Sequence, residues 1–223
     1  MLTPRYFFID DFKPFYDYFL SSPHVSKTFQ KGELLWRPGQ PHEDIYYVIS
    51  GSSMNYADHE NGRRKIISFH GAGTVFPGYH RLDFRIELSL ATVALTDMAV
   101  LRFTKKQFQK MFETNTNLAE QVVDWYARYV NRLLFETIHQ EYNPSLVKLC
   151  DLLYLFVNDQ TSSDNTTIEM TQETLAELLG LSRVQLTREL SELRKEGIVS
   201  SNRGKLHILD LPALAKKCSS EVI

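Results

Sequence analysis

Cysteine is nearly absent from this chain of 223 residues: there are only Cys150 and Cys218, far apart in sequence. Two such thiols cannot supply a four-cysteine zinc or iron–sulfur site, and they do not make a disulfide framework. An excess of charge of one sign is also missing. Lys and Arg total 25 against 27 Asp and Glu, a formal net charge of -2, so any contact with nucleic acid must rest on a local patch. Long apolar runs are lacking as well. The longest, "LCDLLYLFV", is too short to span a bilayer and contains Asp151. The start, "MLTPRYFFIDDFKPFY", is broken by Pro4, Pro14 and acids and does not read as a signal peptide. The expectation is a cytoplasmic protein with no membrane partner. No His-x-His occurs anywhere, although a cupin-type metal enzyme, the rival from a different class, needs that pair on one strand. No metal, cofactor or catalytic residue is therefore expected.

What is present is ordinary in bulk and ordered in pattern. Apolar residues make up 43%, charged residues 23% and aromatics 12%, values of a globular protein with a well-filled core or an aromatic-lined pocket. From about Val25 to Phe103 the apolar runs are short: "GELLW", "DIYYVIS", "RKIISF" and "ELSLATVAL". Turn signals separate them ("RPGQP", "ENGRR", "GAGTVFPG"), and Asn61-Gly62 marks a hairpin. Many short strands with even turns predict a roll or barrel.

At Thr104 the period changes. "TKKQFQKMFETN" predicts a short helix capped by Thr104. Asn117 to Tyr142 then runs without proline or glycine and carries two apolar stripes. Leu118, Val122, Trp125 and Tyr129 form one; Val123, Tyr126, Val130 and Leu133 form the other. One domain surface needs only one stripe, so the second predicts the same helix of another subunit. Asn143-Pro144 ends the pattern and sets the predicted boundary of a second helical unit. The polar stretch "NDQTSSDNTT" predicts a loop or hairpin tip. The predicted divisions are a β-roll over residues 1–116, a dimerisation helix over 117–142 and a second, helical unit over 143–223.

Within the last region, "TQETLAELLG" followed by "LSRVQLTRELSELRKEG" has helix–turn–helix logic. Thr171 and Ser182 are natural caps, Gly180 supplies the turn, and Ser182-x-x-Gln185 fits a capping box. Leu186, Leu190 and Leu193 should face the core, leaving Arg183, Val184, Gln185, Thr187 and Arg188 at the front. Arginine can pair with guanine O6 and N7, glutamine with adenine, and threonine or valine can meet a thymine methyl. Gln185 has a competing use in the capping box. Next, "GIVSSNRGKLHILD" predicts a wing with Arg203 and Lys205 at its tip. From Ser182 to Lys205 six basic residues face three acidic ones, a local balance of about +3.

This order of parts resembles the CRP/FNR family of bacterial transcription regulators. "KGELLWRPGQPHEDIYYVISG" is similar to that family's sensor signature and "LGLSRVQLTRELSELRKEGIV" to its recognition helix. The resemblance implies an α+β fold: a cyclic-nucleotide-binding-like β-roll, a long dimerisation helix and a winged helix-turn-helix. It also implies a homodimer on a palindromic double-stranded DNA site, under allosteric control by a small effector. An activator would in addition contact RNA polymerase.

The sensor departs from the family's cyclic-nucleotide pattern. Pro77-Gly78 stands where those members carry Gly-Glu, and Ser89 stands at their phosphate-binding arginine. Arg81 or Arg85 would have to take that role from another position. Haem sensing would draw its ligands from His42, His59, His70 and His80. "GTVFPG", "ATVAL" and "YNPS" look most like the halorespiration branch, which senses halogenated phenols. The branch's lysine position carries Arg128 and its aromatic position Trp125. That resemblance implies an aromatic acid or phenol bound among Tyr79, His80, Arg85, Trp125, Arg128 and Tyr129. Three alternatives stay open: packing roles for Trp125 and Tyr129, another effector such as a cyclic nucleotide or haem-bound gas, and constitutive DNA binding.

Overall fold

The computed structural model describes residues 3–40, 42–82, 84–158, 166–202 and 204–223. Arg203 at the predicted wing tip and residues 159–165 of the predicted polar loop lie outside the described residues. By contact the chain forms two compact units: Tyr6–Gly62 with Ile66–Tyr129, and Met1–Arg5 and Arg63–Lys65 with Val130–Ile223.

The first unit is the expected roll. Its strands are β1 (Phe7–Phe8), β2 (Val25–Phe29), β3 (Leu34–Trp36), β4 (Asp44–Ser50), β5 (Ser52–Asp58), β6 (Arg64–Gly71), β7 (Val75–Phe76), β8 (Leu90–Ala94) and β9 (Met98–Thr104), with α1 (Tyr16–Ser21) after β1. One sheet has the order β1-β6-β5-β8-β3 and the other β2-β9-β4-β7. The run "DIYYVIS" forms β4 with Ile45, Tyr46, Tyr47 and Val48 all buried, as a continuous apolar strand should. Burial, with Asp44 beside it, pushes the Tyr46 phenol up to about 12. Two predicted stretches divide differently. "ELSLATVAL" begins as a 3-10 turn (Arg85–Ser89) before β8, and the turn "GTVFPG" contains the two-residue β7. Gly51 joins β4 to β5 at φ 84°, where a Cβ would meet the Asp97 carbonyl oxygen at 2.3 Å; only glycine fits.

Thr104 caps α2 (Lys105–Thr114) through a capping box with Gln107. Then α3 (Thr116–Tyr142) follows. Its predicted inner stripe packs inside the roll: Leu118, Val122 and Trp125 join Phe8, Phe19, Phe103 and Phe108 in one core. Its second stripe is open on this single chain, with Val123, Val130 and Leu133 exposed, joined by Leu134 and Ile138. Tyr126 differs from that stripe: its hydroxyl donates to the Tyr79 carbonyl at 3.0 Å.

The second unit takes in the end of α3, α4 (Ser145–Asn158), β10 (Thr167–Glu169), α5 (Gln172–Leu179), α6 (Arg183–Lys195), β11 (Val199–Asn202), β12 (Lys205–Ile208) and α7 (Leu211–Ala215). The strands form a sheet of order β10-β12-β11. Leu149, Leu153, Leu178, Leu186, Leu190, Leu193 and Leu214 are each fully buried. Ionisable side chains are sunk among them, Arg132, Asp151 and Glu189. Asp151 on α4 is fully buried and accepts from Ser219 N at 2.8 Å and Ser219 Oγ at 2.7 Å, with His139 Nε2 at 2.8 Å. These partners replace the water that burial removes. They tie the last turns of α3, α4 and the C-terminal tail together.

Candidate DNA-reading face and sensor site

The helix–turn–helix forms as its sequence dictates. Thr171 Oγ1 accepts from Thr174 N at 3.1 Å and starts α5. Gly180 ends it at φ 65°, and its N–H bonds back to the Ala176 carbonyl. Ser182 then caps α6: its Oγ accepts from Gln185 N at 3.2 Å, and Gln185 Oε1 accepts from Ser182 N at 3.0 Å. The Gln185 carbonyl oxygen is thus engaged by the cap, and its amide NH2 is outside the box. Leu186, Leu190 and Leu193 anchor one side of the helix. Arg183, Val184, Thr187 and Arg188 are exposed on the other, and Val184, a large apolar side chain, is 80% exposed. The Thr187 hydroxyl donates back to the Arg183 carbonyl at 2.8 Å.

Sequence reasoning missed one residue that supports this face from behind. Glu189 is 4% exposed, sits three residues after Leu186 and so falls on the leucine side of the helix. Arg188 Nη2 donates to its Oε1 at 2.7 Å, and Ser145 Oγ, at the first residue of α4, donates to the same oxygen at 2.7 Å. Burial alone would raise the Glu189 carboxyl; the bonds from Arg188 and Ser145 outweigh it and hold it below the usual carboxylate range. A carboxylate on an otherwise apolar helix stripe was the signal. In the wing, Asn202 pairs with Lys205 across β11 and β12. The Lys205 ammonium contacts Glu169, and that bond lowers the Glu169 carboxyl.

The six sensor residues all lie in the first unit, but the structure does not bring them into one cluster. Trp125 and Tyr129 stack at 5.3 Å between ring centroids, against Phe8. The backbone of Tyr79 reaches Tyr126, while its ring faces Phe108 and Phe112 of α2. His80 Nε2 lies 2.7 Å from Glu87 Oε1 and its ring stacks on Phe84. Arg85 is exposed. Arg128 Nη1 lies 3.5 Å from Asp11 Oδ1, whose side chain is 1% exposed. Asp11 and Glu87 were not singled out from the sequence, because nothing in their own neighbourhoods marks them, and Tyr126 was assigned only to the second stripe of the long helix. Burial raises the Tyr126 phenol. Among the described residues, buried Trp125 Nε1 has no hydrogen-bond partner. Nor do the ring nitrogens of buried His42, which faces Glu87 at 4.0 Å; burial lowers its pKa, against the pull of Glu87. Among the described residues no group of three or more His, Cys, Asp or Glu could hold a metal ion, and no helix is long and apolar enough to cross a membrane.

Comparison with known proteins agrees with this division. Residues 26–115 match the cyclic nucleotide-binding domain family and residues 147–217 the Crp-like helix-turn-helix domain family, together well over half of the chain. The CRP-like protein Clp of Xanthomonas campestris pv. campestris is 24% identical over 186 residues, covering 78% of this chain and 79% of its own length. Among solved structures, FixK2 from Bradyrhizobium japonicum superposes with a TM-score of 0.74 at 19% identity, over 89% of this chain and 98% of its own. CprK complexed with OCPA superposes with a TM-score of 0.72 at 18% identity, over 91% and 92%. Such scores show the fold alone and single out no branch: CprK stands among others of equal likeness, so the halorespiration branch is not distinguished. With roll, long helix and winged helix-turn-helix in the expected order, the chain belongs to the CRP/FNR family of DNA-binding transcription regulators and is not an enzyme.

Proposed function

We propose that this regulator acts as a homodimer that sets two copies of α6 into successive major-groove segments of a two-fold symmetric promoter site. The observation that carries the reading is the front of α6. Arg183, Val184, Thr187 and Arg188 stand exposed beside a fully buried leucine stripe, and these are the side-chain types that read base edges and methyl groups. Ser182 and Gln185 fix the helix start, and Lys205, with Arg203 beside it in sequence, gives the wing its charge for phosphate contact. Val184 cannot accept from cytosine and packs on a thymine methyl, which favours an A·T-rich half-site. The open stripe of α3 supplies the dimer surface. The functional divisions follow the sequence: sensing by residues 1–116, pairing by 117–142 and DNA binding by 143–223, in the cytoplasm.

The effector reading rests on Trp125. Its buried indole N–H, without a protein partner, suits the acidic oxygen of an aromatic acid or a halogenated phenol. Arg128, three residues on, offers the cation once the ligand competes with Asp11. Tyr79, His80, Arg85 and Tyr129 complete the proposed surroundings. Effector binding in the first unit favours the DNA-competent dimer only to the extent that it binds that state better. A thermal-shift series with aromatic acids, halophenols and cyclic AMP tests the ligand class, since a specific binder stabilises the fold. A shift with the aromatics that raises promoter affinity in gel-shift assays is the expected result; a shift with cyclic AMP alone would establish the second reading, which the cyclic nucleotide-binding domain match favours.

A further inference from the structure

Neighbouring residues on a helix point about 100° apart and do not ordinarily face each other. Arg188 and Glu189 are neighbours, yet both Nε (3.3 Å) and Nη2 (2.7 Å) of Arg188 donate to Glu189 Oε1. The two side chains live in different environments. That of Arg188 is 71% exposed and that of Glu189 only 5%. The carboxylate is held from the other side by Ser145 Oγ, from the first turn of α4, 44 residues earlier in the chain. Arg188 is thus bent over the helix onto an acceptor that a different helix fixes in place.

We propose that Glu189, held by Ser145, is a positioning residue for Arg188 and sets the base specificity of α6. A guanidinium is a rigid planar fork of five donors. The carboxylate takes the edge made by Nε and Nη2. What remains is the end of the fork, Nη1 with the second hydrogen of Nη2, and two parallel donors at that end match guanine O6 and N7. An arginine free to swing sweeps many phosphate and base positions; one held along its side edge offers its end in one direction. The charge of Arg188 brings it to DNA, and the Glu189 carboxylate decides which atoms it meets. Ser145 follows Asn143-Pro144 directly, so the start of α4 bears on how Arg188 reads. The inference rests on the proposal that Arg188 contacts DNA.

The test is parallel selection from one random duplex pool at low salt by the full-length wild type, E189Q, S145A and R188A, with thermal unfolding of the same samples. The wild type should enrich a guanine at one half-site position, and R188A should lose it. E189Q keeps the shape and loses the charge; its preference at that position should fall about tenfold with the other positions unchanged. S145A should fall in the same place by a smaller factor. If R188A loses the guanine while E189Q and S145A both keep it at wild-type strength, Glu189 positions nothing. Equal weakening on every sequence by E189Q, with a lowered unfolding temperature, would assign it a purely structural role and overturn the proposal. If R188A itself keeps the wild-type half-site, or if the wild type enriches no sequence, the fault lies in the reading of Arg188 as a base contact.

Discussion

The reading face of α6 and the sensor side of the roll are built in opposite ways. Arg183, Val184, Thr187 and Arg188 fall within six consecutive residues, and the first two turns of one capped helix place them all. The proposed sensor residues and their partners come from four separated stretches, around Asp11, Tyr79, Glu87 and Trp125. Local geometry suffices for the first, save for the direction of Arg188, on which Ser145 of α4 bears through Glu189. The second exists only after sheets, 3-10 turn and α3 have packed. A site of local origin should survive changes elsewhere, and a site of nonlocal origin should fail when any contributor is removed.

Changes at buried charge break nonlocal structure most. Asp151→Ala strands His139 and the Ser219 donors in the interior and should destabilise the second unit by about 3 kcal/mol, read as a lowered urea midpoint. A midpoint equal to wild type would show that water reaches these donors freely. Next in size, Arg183→Ala removes a single exposed group and should cost about 2 kcal/mol of specific DNA affinity, roughly 30-fold, with stability unchanged. Titration of a selected half-site measures it, and a shifted unfolding curve would mean that Arg183 is not part of a purely local face.

Ser182→Ala sharpens the comparison from the local side. Loss of the Oγ that accepts from Gln185 N should cost about 1 kcal/mol of stability in thermal unfolding. It should leave any ligand-induced thermal shift as it was. Asp11→Asn is the nonlocal counterpart. It releases Arg128, 117 positions away in sequence, and should change the shift given by aromatic acids while leaving affinity for the selected half-site intact. An unchanged ligand response would separate Arg128 from the sensor.

The smallest effect is on pH. The Glu189 carboxyl is held below its usual value of 4.5 in the folded state, so its contribution is present above about that pH and is lost as pH falls through the lower folded value. Denaturation midpoints from pH 6 to pH 3 should fall less steeply for E189Q than for wild type. Parallel curves would mean that Glu189 titrates as an ordinary carboxyl.

Much of the architecture was legible without coordinates. Thr104 with Gln107, Thr171, Gly180 and Ser182 with Gln185 all mark helix ends, and each makes the bond or the backbone turn that its type predicts. The leucine spacing of α6 and the inner stripe of α3 likewise show which sides are buried. Such signals act over three or four residues, the range within which a helix places side chains together. The short β1, β2 and β7 were harder to see, because two to five residues carry little periodicity and pairing partners supply the rest.

Sequence alone determined the order of parts, the starts of α2, α5 and α6 and the exposed front of α6, since caps, turns and hydrophobic period are local physics. Its resemblance to the family also implies that Ser89 stands where cyclic-nucleotide sensors carry a phosphate-binding arginine. Only the tertiary structure decided that Arg128 lies on Asp11, that His80 lies on Glu87, that Trp125 has a buried N–H without a partner, and that Ser145 and Glu189 hold Arg188. Those contacts join residues up to 117 positions apart. No spacing rule reaches that far: the pairings are set by which surfaces meet as the core excludes water, and by the need of every buried charge for a partner.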